Sequence, residues 1–121
     1  MRNNGFLEET LIDDTSITAD IISRTVDLAD HPYWAIQLDW TSTTAAAEVK
    51  IDGSNDGINW RTFNAPDNTD ILNDSGTIIR TTSEYDASGS GRFDPRYLRV
   101  WLDVASGSIT TVTAKMFARN Y

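Results

Sequence analysis

The stretch from residue 52 to residue 60, Asp-Gly-Ser-Asn-Asp-Gly-Ile-Asn-Trp, constrains the fold of this chain more than any other. Three apolar residues that alternate with polar ones (Ala47, Val49, Ile51) lead into it, and a short run over residues 60–63 leads out. Gly, Asn, Asp and Ser supply left-handed backbone angles and local side-chain hydrogen bonds, which a tight turn requires. The pattern therefore predicts a β-hairpin, and with it an antiparallel β fold.

Three further segments show the period of two that is typical of half-buried strands. Within residues 33–41, 97–105 and 109–119, apolar residues occupy every second position. The predicted inward-facing residues are Trp34, Ile36, Leu38, Trp40, Leu98, Val100, Leu102, Val104, Val112, Ala114, Met116 and Ala118. No segment keeps a helical period, and turn residues recur about every 8–12 positions. We therefore predict an all-β fold, an antiparallel β-sandwich or jelly roll of about seven or eight strands.

The length of 121 residues suits one domain. We assign residues 17–121 to a single β-sandwich domain. Residues 1–16 are predicted to form either an N-terminal arm, lying on a neighbouring subunit, or an edge strand. Residues 65–77 and 84–96 have loop-like composition, and an edge strand is predicted between them at 78–82.

Composition excludes several classes of protein. The chain has no cysteine, which rules out disulfides, thiolate zinc sites and cysteine nucleophiles. Its 18 acidic and 10 basic residues give a net charge of −8, which disfavours a nucleic-acid partner. No apolar run approaches the roughly 20 residues that span a bilayer, and no secretory signal is recognisable, so we expect no membrane partner and synthesis in the cytoplasm.

Catalytic patterns are absent from the sequence. The single histidine, His31, precedes Pro32 in a predicted turn, and we interpret it as a surface residue. No nucleophile elbow, phosphate loop or zinc-protease motif occurs. We expect a protein that is not an enzyme and that needs no cofactor.

The hairpin also offers a candidate calcium site. Asp52, Ser54 and Asp56, followed by Gly57, fit the first half of an EF-hand-like loop. The twelfth position is Phe63, where a bidentate Glu is required, and no flanking helices are predicted. A hairpin rich in Asp, Asn and Ser explains the same residues without an ion, and we favour that interpretation over calcium.

The four tryptophans divide into two groups. Trp34, Trp40 and Trp60 are predicted to lie in the core. Trp101 instead shares with Tyr97 and Arg99 the face opposite the aliphatic residues of its strand. That face is either a subunit interface or a ligand platform on which a sugar ring stacks, and we favour the interface because Trp, Tyr and Arg are typical interface anchors.

A second aromatic and basic group lies in the irregular segment before that strand. It comprises Tyr85, Arg92, Phe93 and Arg96. Because arginine pairs in bidentate fashion with carboxylates, this segment suits docking on an acidic neighbour, including a copy of this acidic chain. The alternative is a solvated loop.

Two stretches carry a family resemblance. Trp40-Thr41, residues 47–51 and residues 54–60 resemble the pattern W-t … v-x-x-S-n-D-G-x-n-W, frequent in small β-sandwich proteins of tailed phages. Arg-Tyr-Leu-Arg-Val at 96–100 is similar to the a-r-Y-v-R-v ending that accompanies it. Discoidin-type, galactose-binding-like jelly rolls share both signatures as scaffold elements. This chain is shorter than those lectins and lacks their paired cysteines.

The resemblance to phage proteins implies a non-enzymatic structural protein of the virion. It would be a capsid decoration, head-fibre or tail accessory protein that self-associates, with a trimer favoured, and that binds other virion proteins at the particle surface. The alternative is a carbohydrate-binding module or a host-recognition adhesin that uses Trp101 and Tyr97.

Overall fold

A computed structural model describes residues 6–29, 31–63, 70–71, 74–82 and 94–119. These residues form ten strands: β1 (Phe6–Ile17), β2 (Ile21–Ile22), β3 (Val26–Asp27), β4 (Tyr33–Thr43), β5 (Ala46–Ser54), β6 (Arg61–Phe63), β7 (Asp70–Ile71), β8 (Asp74–Thr81), β9 (Tyr97–Ser106) and β10 (Ile109–Arg119). Three of them, β2, β3 and β7, are two residues long. The other seven agree with the predicted number.

The strands form two antiparallel sheets. The four-stranded sheet has the order β1-β10-β4-β8. In the six-stranded sheet the order is β2-β9-β5-β6, with β3 also pairing with β9 and β7 with β5. The predicted antiparallel β-sandwich is confirmed, and β4 lies in the interior of its sheet, between β10 and β8.

The core lies between the sheets, and the inward-facing residues at every second position of the strands fill it. In β4, Trp34, Ile36 and Leu38 are each at most 2% exposed, and in β9 Leu98 and Val100 are fully buried. Other buried residues are Ile12, Ile51, Phe63, Leu102, Ile109, Val112, Ala114, Met116 and Ala118. Burial of a large aliphatic or aromatic side chain stabilises the fold by about 1.5–3 kcal/mol, so these rows supply most of the favourable free energy.

The N-terminal strand belongs to the same sandwich. Strand β1 pairs with β10 of its own chain from Phe6 to Ile17 and forms one edge of the four-stranded sheet. The register shifts between Thr10 and Ile12, which is a β-bulge at Leu11. The extra residue turns both Leu11 and Ile12 toward the core, where each is less than a tenth exposed.

Two predicted placements are wrong. Trp60 is half-buried and lies outside the core, where Phe63 packs instead, because Phe63 pairs with Ile51 on the inner face. His31 is buried, with 3% of its surface exposed, and is not a surface residue. The amide of His31 donates to the carbonyl of Leu28, so the direction of the imidazole is set by a turn and not by a strand.

The irregular segments are also shorter than predicted. Strand β8 forms the second edge of the four-stranded sheet, as expected for 78–82, but it begins at Asp74. Strand β7 lies within the segment predicted as loop over 65–77. Of the segment 84–96, residues 84–93 lie outside the described residues.

Two glycines with positive φ give a matched test of the turn between β9 and β10. Gly107 has φ +79°, and a Cβ placed there would lie 2.5 Å from the Thr44 carbonyl oxygen. Gly57 has φ +76°, but a Cβ there would meet only the Tyr97 ring at 3.8 Å. We expect Gly57→Ala to cost about 1 kcal/mol from backbone strain alone, and Gly107→Ala about 2–4 kcal/mol because the turn must also shift.

Urea unfolding followed by tryptophan fluorescence measures both losses. Equal losses for the two variants would show that the contact between the two turns contributes nothing.

Candidate functional site

The outward face of the six-stranded sheet collects the residues that the sequence singled out. In the pairing of β5 with β9, Ser54 lies opposite Tyr97, Asp52 opposite Arg99 and Lys50 opposite Trp101. Opposed residues of an antiparallel pair point to the same side of the sheet. Tyr97, Arg99 and Trp101 therefore share one surface, which we call the six-stranded outer face, with the side chains of β5 that oppose them.

The centre of this face is a buried carboxylate with two donors. Arg99 Nε lies 3.3 Å from Asp52 Oδ2, and Thr62 Oγ1 donates to Asp52 Oδ1 at 2.8 Å. The Arg99 guanidinium also lies 4.0 Å from the centroid of the Trp60 ring. Only 5% of the Asp52 side chain is exposed, which is tolerable because both of its oxygens accept hydrogen bonds. Trp60 is partly buried because its ring packs on the Arg99 guanidinium, and it thereby covers the ion pair.

A second cluster surrounds Trp101. Lys50 Nζ lies 4.2 Å from the centroid of the Trp101 ring and 2.9 Å from Asp103 Oδ2. The indole Nε1 donates to Asp20 Oδ2 at 3.1 Å, and the Val104 amide donates to Asp20 Oδ1 at 2.7 Å. These two donors hold the pKa of Asp20 below its ordinary value, and the hydrogen bond to Asp103 raises the pKa of Lys50.

The third ring on the face, Tyr97, is also covered by a cation. The Arg96 guanidinium lies 5.2 Å from its centroid and pairs with Asp27, Nη2 to Oδ2 at 3.2 Å. That hydrogen bond lowers the pKa of Asp27. Arg96 therefore joins the six-stranded outer face, whereas Tyr85, Arg92 and Phe93 lie outside the described residues.

The cations that lie over the aromatic rings limit how a partner can contact this face. Each of the rings of Trp60, Tyr97 and Trp101 has a Lys or Arg over it. A sugar stacking on the ring face that a cation covers would have to displace the cation and break its ion pair. Ile22, which pairs with Trp101 and is 53% exposed, adds an uncovered apolar side chain. The cations and their ion pairs therefore obstruct the stacking of a sugar on the covered ring faces.

The candidate calcium ligands are held by donors of the protein itself. Asp56 Oδ1 accepts the amides of Ile58 and Asn59 at 2.8 Å each, and Asn59 Nδ2 donates to Oδ2. Ser54 donates to Asp56, and Asp52 is paired with Arg99. The hairpin interpretation therefore accounts for Asp52, Ser54 and Asp56. Among the described residues no group of three or more His, Asp or Glu side chains is arranged to hold a metal ion.

Sequence reasoning missed the outward face of the four-stranded sheet. Ala35 on β4 lies between Phe117 on β10 and Thr81 on β8, and a depression of about 630 Å³ opens beside it. Phe117 is 37% exposed and Ile79 is 52% exposed. The signal was present in the sequence, because Phe117 is a large apolar residue at an outward position of its strand. Its neighbours across the sheet were not predictable without the pairing of β10, β4 and β8.

Comparisons with known proteins define the class of fold. No protein-family model matches the chain, and no curated protein sequence matches it. Solved structures that are similar include YomS, a protein derived from the SPBc2 prophage, with 10% identity, a TM-score of 0.54 and coverage of 98% of this chain and 96% of that one. A Bacillus endospore appendage protein is similar, with 11% identity, a TM-score of 0.52 and coverage of 98% and 90%.

A domain of tailspike protein 4 from bacteriophage CBA120 is a third similar structure, with 11% identity and a TM-score of 0.51. The match covers 95% of this chain but 19% of the solved tailspike chain. At these identities the likeness shows the fold, a β-sandwich that occurs both as a whole chain and as one domain of a larger one. Within the described ranges no helix is long and apolar enough to cross a membrane.

Two Arg–Asp pairs on this face differ in burial, so replacing the arginine of each pair should lower the stability by a different amount. Arg99→Met leaves the buried Asp52 with one donor and is expected to cost about 2–3 kcal/mol. Arg96→Met breaks the exposed pair with Asp27 and is expected to cost under about 1 kcal/mol. Urea unfolding checks both. In the Arg99→Met background, Asp52→Asn should recover part of the loss, and equal costs for the two arginines would contradict the assigned burial.

The hairpin carboxylate predicts an acid-dependent contribution. Backbone amides of Asn59 and Ile58 hold the pKa of Asp56 far below the ordinary 3.8, so its contribution is present above that pH and is lost as the pH falls below it. Asp56→Asn should therefore lower stability at neutral pH, with a gap to the wild type that narrows below pH 3.8. Thermal unfolding across pH measures the gap.

Asp14→Asn is the control, because it removes a charge from an exposed carboxylate that makes no hydrogen bond within the described residues. A gap for Asp56→Asn that stays constant down to acid pH would refute the assignment.

Proposed function

We propose that this chain is a non-enzymatic structural protein of a phage virion, a capsid decoration, head-fibre or tail accessory protein that self-associates and binds the particle surface. The observation that carries the proposal is the six-stranded outer face. Trp101, Arg99 and Tyr97 lie together there with exposed Ile22 beside them. Aromatic residues and arginine are enriched at protein interfaces and supply most hot-spot residues.

The ordering of this face supports an interface. Trp101 is fixed by Lys50 and Asp20, and Arg99 by Asp52, before any partner arrives. Side chains that are already immobile lose little conformational entropy on association, which favours binding. A cysteine-free domain of this size also gains stability from surface buried between subunits. A homotrimer is favoured because the resemblance to phage β-sandwich proteins implies it.

The fold comparisons support a place in a particle. A prophage-derived protein matches over nearly its whole length, and a bacteriophage tailspike contains a similar domain. Together with the two sequence stretches that resemble tailed-phage β-sandwich proteins, these support location in the virion after synthesis in the host cytoplasm.

The proposal includes that this chain has no catalytic activity. His31 is buried, and its Nε2 has no hydrogen-bond partner among the described residues, so it is not paired with a nucleophile there. A general base must lie within hydrogen-bond reach of the proton that it removes.

Two exposed isoleucines on opposite faces test the interface. Ile22 on the six-stranded outer face and Ile79 on the other sheet are 53% and 52% exposed. Ile22→Glu would bury an unpaired charge in the interface and should weaken self-association by at least about tenfold, a loss of about 1.4 kcal/mol or more. Ile79→Glu should leave the molar mass unchanged. Light scattering coupled to gel filtration measures the mass.

A monomeric wild type at high concentration would refute self-association, and a monomer caused by Ile79→Glu instead of Ile22→Glu would move the interface to the other sheet. Density-gradient purification of particles of the encoding phage tests the location. The protein should band with the particles, and its recovery in the soluble fraction alone would refute the virion assignment.

A further inference from the structure

Strand β1 contains a strained residue near its end. Ser16 has φ +55°, in the left-handed region, although it is not a glycine and both of its neighbours pair with β10. A side chain with a Cβ disfavours that region. Ser16 is exposed, so burial of its side chain does not compensate for the strain. An extended backbone at Ser16 would relieve the strain, but it would direct residues 6–15 away from the place that they occupy.

The chain is anchored directly after this residue. Ile17 is 4% exposed and belongs to the core. Asp20 accepts hydrogen bonds from the Trp101 indole at 3.1 Å and from a backbone amide of β9 at 2.7 Å. These contacts hold Ile17 and Asp20 in place, so residues 6–15 are the part of β1 that can change direction, with Ser16 as the hinge.

The space around the hinge permits that change. Residues 13–21 line an open depression of about 480 Å³. Among the strands that the structure describes, β1 pairs with β10 alone and forms the edge of its sheet. Residues 6–15 can therefore separate from β10 without disturbing the pairing of β10 with β4.

Residues 6–15 also cover one edge of the core and must be replaced if they leave. Leu11 and Ile12 are 8% and 3% exposed. Glu9 pairs with Arg24, which lies between β2 and β3. A second copy of this chain supplies the same segment with the same register and the same contacts. The surface along β10 therefore selects its own occupant.

The hinge adjoins the face proposed for self-association. Asp20 binds Trp101, and Ile22 pairs with Trp101 and is 53% exposed. Copies that exchanged residues 6–15 would cross at Ser16, so the crossing lies beside the six-stranded outer face of each copy.

We propose that residues 6–15 are exchanged between copies of this chain, with Ser16 as the hinge. The segment of one copy pairs with β10 of the next in the register found within one chain, and the backbone of Ser16 becomes extended. A strained hinge favours such an exchange, because the exchanged form keeps the contacts of the closed form and loses the strain. The exchange closes reciprocally in a dimer or cyclically in a trimer. It rests on the proposed self-association and states how the copies are joined.

Cross-linking between single-cysteine variants tests the exchange, since the chain has no cysteine of its own. Thr113 on β10 lies opposite Asp13 on β1 and opposite Asp39 on β4. Asp13→Cys and Thr113→Cys are unfolded in urea, refolded together and treated with a short bismaleimide. Exchange should give a covalent dimer of the two variants, because Asp13→Cys of one chain then lies opposite Thr113→Cys of another.

The matched control is a mixture of Asp39→Cys and Thr113→Cys. Strands β4 and β10 of one chain stay paired in the closed and in the exchanged form, so the yield of covalent dimer should remain at the level of random collision. Asp13→Cys and Thr113→Cys combined in one chain verify that the reagent spans the pair, and thermal unfolding verifies that each variant folds.

Substitutions at the hinge should shift the equilibrium in opposite directions. Glycine adopts a positive φ without strain, so Ser16→Gly should raise the dissociation constant of the assembly by about tenfold or more. Valine is more strained there than serine, so Ser16→Val should lower the dissociation constant. Light scattering coupled to gel filtration over a series of concentrations measures both changes.

The outcomes separate the exchange from the proposed interface. A covalent dimer no more abundant than in the control mixture would overturn the exchange, as would a dissociation constant that Ser16→Gly leaves unchanged. If the wild type is still larger than a monomer in that case, the proposed self-association stands without the exchange. If cross-linking persists and Ile22→Glu leaves the molar mass unchanged, the exchange stands and the interface at Ile22 is refuted.

Discussion

The register between β5 and β9 is the constraint on which the rest of the structure depends. It places Val100 opposite Ile51 on the inner side and Arg99 opposite Asp52 on the outer side. A slip of one residue would move the aliphatic row of β9 into solvent and its charged row into the core. The ion pair of Asp52 with Arg99 and the burial of Leu98 are thus two results of one alignment, and neither is retained without the other.

The two outer faces of the sandwich differ in how their charged side chains are paired. On the six-stranded sheet, Lys50, Asp103, Arg99 and Asp52 neutralise one another, and the rings between them are covered. On the outward face of the four-stranded sheet, Glu8 and Lys115 make no ion pair with another described residue, and Phe117 is 37% exposed. The first arrangement supports the proposed contact between copies of the chain through that face.

Much of the fold was predictable because the core depends on local alternation. The inward rows of β4, β9 and β10 were identified from period two alone, since Trp34, Leu98 and Val112 each lie in an unbroken pattern. Trp60 and His31 were misplaced because they lie outside regular strands, where turn geometry and not period sets the direction of a side chain. The predicted strand at 78–82 began too late, because the first residues of β8, Asp-Ser-Gly, have turn composition.

The candidate sites were harder to predict for a different reason. Alternation placed Tyr97, Arg99 and Trp101 on one face, but Lys50, Asp52 and Asp20 reach them only through strand pairing. The depression at Ala35 depends on three strands that are distant in sequence, and no local pattern encodes their order. The sequence left Trp101 as either an interface residue, which was favoured, or a ligand platform, and only the strand pairing shows that Lys50 covers its ring.

The bulge at Leu11 has a consequence for how sheets of different molecules meet. A long, regular edge strand is a template on which another chain can add a strand. Strand β1 is 12 residues long, but the bulge breaks its hydrogen-bonding pattern. Glu8, Asp13 and Asp14 line it with negative charge, whereas Glu9 is paired with Arg24. The bulge and the negative charge therefore disfavour the addition of a strand from another acidic copy of this chain at that edge.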